Sequence, residues 1–347
     1  MIKIQRLFVH EMLMPNAEEK KPDAQPMIPI IVPFPTWDDW VAECIAGCAE
    51  LDYPDVEIYL LPDEPLPTDR AEEARRLAKG RAVHILPTGR GNPAQKRNVA
   101  LRASSAPWAA LIDADAFPRA DWLKNATAEA TEEVGIVAGP NITPPNDPLS
   151  RQISGLVMRS ALGFGAGYIR HYPVARHEIE EMPTCNMIIR RLPDLFFREE
   201  FATAEDMMYC RDTRERGYKI IYSPEVVVFH HRRTFPIQFA RQFFFYGRDK
   251  GRLTARGHSS ARLGHAMPAG LLLYAIATLV FALIHPLPLW WLLPAAVYAV
   301  AVVVESVRHA HTPLLALCGL LGFPVAHASY GYGYLRGLPI GWRERKQ

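Results

Sequence analysis

The stretch AALIDADAF, residues 109–117, joins an apolar run to two aspartates. Residues 109–112 have the composition of a buried strand, and Asp113 and Asp115 follow immediately. Side chains two positions apart in an extended chain point to the same side, and two carboxylates placed there repel each other unless a cation lies beside them. The pair therefore predicts a divalent metal, Mg²⁺ or Mn²⁺, since these ions take oxygen ligands and share them with phosphates. The alternative is a pair of solvated turn residues.

Residues 27–235 alternate between strand and helix patterns around this stretch. The predicted strands are 28–32, 57–61, 83–86, 108–112, 135–138 and 226–229. The predicted helices are 38–50, 93–102 and 204–216. This alternation predicts an α/β domain with a mainly parallel sheet. Ligands of such sheets bind at the carboxyl ends of the strands, which is where the two aspartates lie.

Composition excludes several classes of protein. The chain has 347 residues and a formal net charge of +2, which gives no sign of a nucleic-acid partner. Its five cysteines are scattered and show no CxxC spacing. This cysteine usage suits a reducing compartment and argues against a disulfide framework or a structural zinc site.

The C-terminal part has the composition of a membrane region. Residues 266–304 contain no Asp, Glu, Lys or Arg. Runs 267–284 and 287–304 are each long enough to cross a bilayer, and a third apolar run, 314–335, contains Pro324. We expect two spans and a third segment that is re-entrant or interfacial. Buried helices of a soluble core are the less favoured alternative.

Four regions follow from these patterns. Residues 1–26 are a flexible N-terminal segment, 27–235 the catalytic domain, 236–262 an amphipathic interfacial segment, and 263–347 the membrane domain. The interfacial segment contains RQFFFYGRDKGR, which interleaves aromatic and basic residues and suits the headgroup layer of an anionic leaflet. Basic residues before the first span predict that the soluble domain faces the cytoplasm.

Two helix starts carry residues suited to phosphate chemistry. In GNPAQKRN, residues 91–98, the helix N-terminus and the nearby Lys96 and Arg97 favour an anion such as phosphate, although an ordinary basic helix face is the alternative. In ATAEDMMYC, Glu205 and Asp206 lie in a first turn, where the helix dipole keeps a carboxylate ionised. They are either favourable helix-start acids or a general base for an incoming hydroxyl.

Two further strand ends complete the candidate site. EIYLLPDE places Asp63 after a strand, a usual position for an acid that contacts a nucleotide, or else a turn residue beside prolines. VVVFHHRR, residues 226–233, places two histidines and two arginines after another strand. A histidine there could ligate a metal and an arginine could bind phosphate, whereas a solvated basic strand end is the alternative.

With these motifs together, the chain resembles a family 2 glycosyltransferase with the GT-A fold and a membrane-embedded C-terminus. The likeness rests on IPIIVPFPTWDDW, GNPAQKRN, ALIDADAF, TCNMIIRR and ATAEDMMYC in that order, and more loosely on tail segments similar to bacterial exopolysaccharide (succinoglycan-type) enzymes. Departures are the segment 62–65, which replaces the usual acidic pair plus Gly-Ser, and the absence of the Gln-x-x-Arg-Trp motif of processive synthases.

The resemblance implies a role for each candidate residue. Asp206 would be the catalytic base of an inverting displacement, and Asp115 would ligate the metal. His231 would contact the metal or the diphosphate, with His230 pointing the other way. The implied nucleotide-sugar contacts are Pro33, Asp63, Lys96, Arg97, Asp113, Ala114 and Asp115. Asn186 and Glu205 would lie on the acceptor side.

The same resemblance implies the partners and the location, which would be the bacterial inner (plasma) membrane, with a multi-pass anchor and a cytoplasmic catalytic domain. The donor would be a nucleotide-diphosphate sugar, with UDP favoured over GDP, and the acceptor a lipid-linked or glycan hydroxyl beside membrane lipids. Two alternatives stay open at this point. One is a sugar-phosphate nucleotidyltransferase, and the other is a catalytically inactive membrane scaffold or regulator that retains the fold.

Overall fold

A computed structural model describes residues 25–200, 204–257 and 263–345. The predicted N-terminal segment, 1–26, lies almost entirely outside these ranges. The strands are β1 Ile28–Pro33, β2 Val56–Leu61, β3 Ala82–Ile85, β4 Trp108–Ile112, β5 Ala116–Pro118, β6 Val134–Ala138, β7 Asn141–Ile142, β8 His177–Glu178, β9 Asn186–Arg190, β10 Lys219–Tyr222 and β11 Val228–His230. The α-helices are α1 Asp39–Ala49, α2 Thr68–Leu77, α3 Pro93–Ala103, α4 Trp122–Ala128, α5 Leu149–Met158, α6 Ala161–Phe164, α7 Glu205–Glu215, α8 Ile237–Ala255, α9 Met267–Ala282, α10 Leu293–His309 and α11 Pro313–Arg345.

Within the described residues, the main sheet has eight strands in the order β3-β2-β1-β4-β9-β6-β10-β8. Its pairs are parallel except those made by β9 with β4 and β6, and by β8 with β10. The central strand β4 is buried along its whole length, as the apolar sequence before Asp113 predicts. The predicted α/β architecture with a mainly parallel sheet is confirmed.

A second, smaller sheet brings β11 to the end of β4. Strand β11 pairs antiparallel with β5, which follows Asp115 directly, and parallel with β7. In this register His230 is the partner of Ala116. The sequence predicts a strand at 226–229 but not its sheet, because pairing across more than 100 residues leaves no local signal.

Helix α3 begins as its sequence predicts. The side chain of Asn92 accepts a hydrogen bond from the backbone N–H of Gln95, and the side chain of Gln95 accepts one from the N–H of Asn92. Pro93 occupies the first helical turn, where no backbone donor is needed. This reciprocal capping fixes the direction from which Lys96 and Arg97 enter the domain.

Among the described residues, three helical segments are long and apolar enough to cross a membrane: Gly264–Ala282, Leu289–His309 and Pro313–Arg345. The first two expose most of their apolar side chains, which is typical of helices that face lipid. The third, α11, is one continuous helix that runs through Pro324, and about two-fifths of its most apolar stretch is buried.

Helices α8 and α11 pack with their backbones in contact. A Cβ atom on Gly247 of α8 would overlap the carbonyl oxygen of Tyr330, and one on Gly337 of α11 would overlap that of Arg248. Glycines on both helices therefore allow an approach that any larger residue prevents. The apolar face of α8, which includes Phe239 and Phe243, is buried against this helix and α5.

We expect Gly337→Ala to lower the apparent melting temperature of the protein in detergent, because the added methyl group must push α8 and α11 apart at a cost of about 1–3 kcal/mol. The matched control is Gly270→Ala in α9, where a Cβ would meet nothing within 4 Å. That substitution should leave the melting temperature unchanged or raise it slightly, since alanine favours a helix over glycine. Equal effects of the two substitutions would contradict the packing argument.

Candidate functional site

Asp113 and Asp115 lie at the carboxyl end of β4 and have different partners. The Oδ1 atom of Asp113 accepts a hydrogen bond of 3.2 Å from Nη2 of Arg97. The Oδ1 atom of Asp115 lies 3.1 Å from Nε2 of His230, and its Oδ2 atom lies 3.8 Å from Nη2 of Arg233. Each carboxylate thus has its own cationic or donor neighbour, which offsets the repulsion that their spacing predicts.

The two carboxyl groups differ in acidity. Burial raises the pKa of Asp113 against the opposing charge of Arg97, and the charges of Asp115 and, more weakly, Asp206 raise it further. Burial also acts to raise the pKa of Asp115, but the hydrogen bond and charge of His230, together with Arg233, hold it below its usual value. Asp115 is therefore the more strongly ionised of the pair and the better ligand for a cation. The influence of Asp206 on Asp113 also indicates that α7 begins close to the end of β4.

The tautomer of His230 follows from its neighbour Arg232. A guanidinium can only donate, and Nη1 of Arg232 lies 3.1 Å from Nδ1 of His230. The Nδ1 atom is therefore an acceptor, so Nε2 carries the hydrogen and donates it to Asp115. In this arrangement His230 orients the carboxylate of Asp115 and has no lone pair left for a metal.

His231 contacts two acids away from Asp115. Its Nδ1 atom lies 2.7 Å from Oδ1 of Asp147, and its Nε2 atom lies 2.7 Å from Oε2 of Glu43. These hydrogen bonds raise the pKa of His231 against the effect of burial. The structure thus reverses the predicted arrangement: His230 faces Asp115, and His231 points away from it. The cause is the register of β11, because adjacent residues of a strand face opposite sides.

Arg97 joins α3, β4 and α7 at one buried point. Its side chain is 3% exposed, and Nη1 donates to Oε1 of Glu205 at 3.0 Å while Nη2 donates to Asp113. Glu205 is itself 8% exposed, and burial raises its pKa although Arg97 opposes this. The predicted roles, a phosphate contact for Arg97 and an acceptor contact for Glu205, do not match this arrangement, because the two side chains bind each other.

The amino group of Lys96 is also occupied by contacts within the protein. Its Nζ atom donates to the carbonyl oxygens of Phe34 and Leu61, at 2.9 and 3.0 Å, and lies 2.6 Å from Oδ1 of Asp63. These contacts tie together the ends of β1 and β2 and hold the Asp63 carboxylate at the predicted nucleotide side. The prediction that Lys96 faces phosphate is not met. Pro33, the last residue of β1, lies beside this junction.

Asp206 occupies the first turn of α7, next to the anchored Glu205. One of its carboxylate oxygens accepts a hydrogen bond of 2.8 Å from the backbone N–H of Met207. Glu205 pairs with Arg97, whereas no arginine or lysine among the residues that the structure describes pairs with Asp206. Its carboxylate is partly exposed, as a proton acceptor requires. Ala114, between the two aspartates, is also partly exposed.

Asn186 does not reach the acceptor side. It is 0% exposed, its Oδ1 accepts from Nε1 of Trp122 at 2.8 Å, and its Nδ2 donates to the carbonyls of Pro140 and Val226. The predicted role is wrong, since all its polar atoms are used inside the protein. Asn186 instead fastens the start of β9 to two neighbouring loops. The motif TCNMIIRR supplies a central strand rather than a binding surface.

The donor set suits a cation that is shared with a ligand. No group of three or more His, Cys, Asp or Glu side chains in the described ranges could hold a metal by itself. Asp115 offers one well-ionised carboxylate, and the neighbouring histidines are occupied. Mg²⁺ and Mn²⁺ accept such sites when phosphates and waters complete their coordination. The residues therefore fit a metal that arrives with an anionic ligand.

Sequence reasoning missed the buried hydrogen-bonded residues that support His230. Arg232, Asn141 and His171 form a buried hydrogen-bonded chain that continues from His230. The only sequence signal was the HHRR run after a strand, which draws attention to Arg232 but not to its partners. These lie 61 to 91 positions away along the chain, too far for any local pattern to connect.

The comparisons with known proteins agree with this geometry. Residues 30–192 match the family description "Glycosyl transferase family 2". This chain carries a glycosyltransferase family 2 domain. The prediction of a family 2 domain, of the GT-A fold and of a glycosyltransferase is confirmed. The specific likeness to succinoglycan-type enzymes is not shown.

Three proteins are similar to this glycosyltransferase over part or most of its length. A Methanococcus voltae protein named dolichyl N-acetyl-alpha-D-glucosaminyl phosphate 3-beta-D-2,3-diacetamido-2,3-dideoxy-beta-D-glucuronosyltransferase is 20% identical over 90% of this chain and 98% of its own. The pre-mycofactocin glycosyltransferase of Mycobacterium tuberculosis is 27% identical over 47% of this chain and 35% of its own. The mannosyltransferase PcManGT from Pyrobaculum calidifontis, solved with GDP-Man and Mn²⁺, superposes with a TM-score of 0.56 at 19% identity, over 91% of this chain and 88% of that chain.

We expect Arg97→Met to destabilise this glycosyltransferase by about 3 kcal/mol, because Glu205 and Asp113 lose their buried counter-charge. The measurement is chemical or thermal unfolding of the purified protein. Arg102→Met is the control, since Arg102 lies on the same helix and its side chain is 56% exposed beside Glu199. Adding Glu205→Gln to Arg97→Met should recover part of the loss, and additive effects of the two substitutions would contradict the proposed pair.

Proposed function

We propose that this glycosyltransferase moves a sugar from a nucleotide-diphosphate donor to the hydroxyl of a lipid-linked acceptor, with inversion at the anomeric carbon. One observation carries the proposal: the end of β4 and the start of α7 meet through Arg97, and both Asp115 and Asp206 lie close enough to Asp113 for their charges to raise its pKa. The donor would bind over Asp63, Asp113 and Asp115, since ligands of open α/β sheets bind at the carboxyl ends of the strands. Asp206 would face the acceptor.

Asp206 is the proposed general base. It lies in the first turn of α7, and its carboxylate is partly exposed, so an acceptor hydroxyl could reach it. In the transfer step, the acceptor oxygen forms a bond to the anomeric carbon while the bond from that carbon to the diphosphate oxygen breaks. The hydroxyl proton passes to the Asp206 carboxylate, and the electron pair leaves with the nucleotide diphosphate. Glu205 contributes by anchoring the turn through Arg97.

Asp115 is the proposed metal ligand, oriented by the hydrogen bond from His230. When bound, Mg²⁺ or Mn²⁺ would neutralise the charge that develops on the departing diphosphate. Arg233, which lies 3.8 Å from Asp115 and is half exposed, is the cation in this region best placed to move toward the diphosphate. We favour UDP over GDP as the nucleotide.

The membrane arrangement supports a lipid-linked acceptor. The Methanococcus voltae relative is named for a dolichyl-linked substrate, and it aligns with nearly all of this chain. We propose that α9 and α10 cross the bacterial inner membrane and that α8, with its exposed arginines, lies at the cytoplasmic surface. The active site would then face acceptors held in the same leaflet.

We expect Asp206→Asn to reduce sugar transfer on the order of a hundredfold or more while nucleotide binding stays nearly unchanged. The carboxamide keeps the shape of the side chain but does not accept the proton. Transfer can be followed with a panel of UDP- and GDP-sugars and a polyprenyl-linked acceptor. Asp212→Asn on the same helix, which loses an ion pair with Arg198 instead, serves as the control. Retained turnover in Asp206→Asn would refute the assignment of the base.

We expect Asp115→Asn to abolish the Mn²⁺-dependent part of UDP binding, because it removes the ionised oxygen ligand. His231→Gln should preserve that part, since His231 faces Glu43 and Asp147. Calorimetric titration of UDP with and without Mn²⁺ measures both variants. A loss of metal dependence in His231→Gln alone would restore the original assignment of His231 as a ligand.

A further inference from the structure

The loop before α7 is held on helix α3 by the side chain of Asn98, which is 1% exposed. Its Oδ1 atom accepts from the backbone N–H of Phe197 at 2.9 Å, and its Nδ2 atom donates to the carbonyl oxygen of the same residue at 2.8 Å. These two bonds fix the orientation of the amide, since the first partner can only donate and the second can only accept. The side chain of Asn98 thus pairs with both backbone groups of one residue, as a neighbouring strand would.

Two further hydrogen bonds hold the same loop two residues later. The second Nδ2 hydrogen of Asn98 reaches Oε1 of Glu199 at 2.8 Å. Asn92, the capping residue of α3, donates from Nδ2 to the backbone oxygen of Glu199 at 2.7 Å. Residues 191–200 belong to no helix or strand of the described chain. The side chains of α3 therefore supply the partners that this backbone would otherwise find in secondary structure.

The ring of Phe197 carries this restraint to α7. It stacks on the ring of Tyr209, with the two centroids 4.3 Å apart and an interplanar angle of 19°. Both rings are almost completely buried. A stacked aromatic pair favours a particular relative orientation in addition to its burial. Asn98 thus acts on α7 through Phe197, at a point one helical turn beyond Glu205.

Two contacts on one face of α7 fix its rotation about its own axis. Glu205 is held by Arg97, and Tyr209, four positions later, lies on the same face of the helix. A single contact would let the helix turn around it, whereas two contacts one turn apart do not. Asp206 follows Glu205 by about 100° around the helix. The direction of the Asp206 carboxylate is therefore set by this rotation.

The start of α7 has little local support for its direction. Its capping residue is Ala204, whose side chain has no acceptor for the free N–H groups of the first turn. Ala204 also adopts a φ of 73°, in the left-handed region that an alanine rarely occupies. Such a conformation persists where the surrounding contacts hold it. Tertiary contacts therefore decide the direction of the helix, and those of Arg97 and Phe197 are two of them.

We propose that Asn98 is a positioning residue for the transfer step. By holding Phe197 against Tyr209, it sets the rotation of α7 and thus the direction from which the Asp206 carboxylate meets the hydroxyl proton. The proposal rests on the function proposed above, because it needs Asp206 as the base. A displacement of about 1 Å in a reacting group can lower a rate about a hundredfold. Loss of this restraint should therefore slow the reaction without weakening donor binding.

The test uses the full-length protein in lipid nanodiscs with Mn²⁺. The donors are UDP-glucose, UDP-galactose, UDP-N-acetylglucosamine and GDP-mannose, each with water alone and with farnesyl-diphosphate-linked N-acetylglucosamine as the acceptor. The nucleotide released by each pair is measured. Calorimetry with the nucleotide of the best donor gives the number of binding sites and their affinity. Rates are divided by that number, because a variant that only unfolds loses sites and keeps its turnover per site.

We expect Asn98→Ala to lower turnover per site by about ten- to a hundredfold, with nucleotide affinity and the KM of the donor changed by less than about twofold. Added to Asp206→Asn, it should lower the residual rate by less than about twofold, because a misplaced base and an absent base have the same consequence. Multiplied effects of the two substitutions would show a general structural role and overturn the proposal. The matched control is Asn125→Ala on α4, where the amide donates to the backbone of Glu225 at 3.0 Å, and it should keep wild-type turnover.

Phe197→Leu tests the same link without changing α3. Leucine keeps the apolar contact and the backbone bonds to Asn98 but loses the flat stacking on Tyr209, so we expect about tenfold lower turnover per site at unchanged nucleotide affinity. Should Asn98→Ala fail to fold, this variant decides. The proposal is overturned if both variants keep wild-type turnover per site, or if nucleotide affinity falls as far as turnover does. Retained turnover in Asp206→Asn, or no nucleotide release by the wild-type protein from any donor, would instead refute the proposed function and this role with it.

Discussion

The buried guanidinium of Arg97 is the interaction on which the candidate site depends. It links the carboxylate of Asp113, after β4, to that of Glu205, which starts α7 and lies 92 positions further along the chain. A single cation between two acids holds them at a fixed separation and makes both stable in a poorly solvated place. Removing it would leave the buried Glu205 and the partly exposed Asp113 without their counter-charge. In the proposed mechanism, the distance between the donor side and the acceptor side is thus set by a side chain that need not touch either substrate.

The donor and acceptor roles in a second set of hydrogen bonds fix the tautomers of two histidines near the site. Arg232 can only donate, and it fixes the tautomer of His230 on one side and, through Asn141, that of His171 on the other. One buried cation therefore makes Nε2 of His230 a donor toward Asp115 and leaves Nε2 of His171 an acceptor. The two imidazoles differ because the guanidinium contacts His230 directly and reaches His171 through Asn141. Burial lowers the pKa of Arg232 to about 10, which leaves it charged at neutral pH.

Sequence reasoning succeeded where the signal is local. The buried run before Asp113, the proline-capped start of α3 and the apolar C-terminal helices were all predictable from periodicity and composition. The family followed from the order of the motifs. It failed where the answer depends on tertiary pairing. Lys96, Asn186 and Glu205 have the right chemistry for ligand contacts, but each is occupied by a partner distant in sequence. The exchange of His230 and His231 followed from a strand register that no single segment encodes.

The contact between α8 and α11 has a mechanical consequence. Two helices whose backbones touch at successive glycines cannot slide or tilt without a clash, so they move as one rigid unit. Helix α8 begins shortly after β11, and α11 follows the apolar helices α9 and α10. In the membrane arrangement proposed above, this rigidity would fix the height of the reaction centre above the lipid and would select acceptors whose reactive hydroxyl lies at that height.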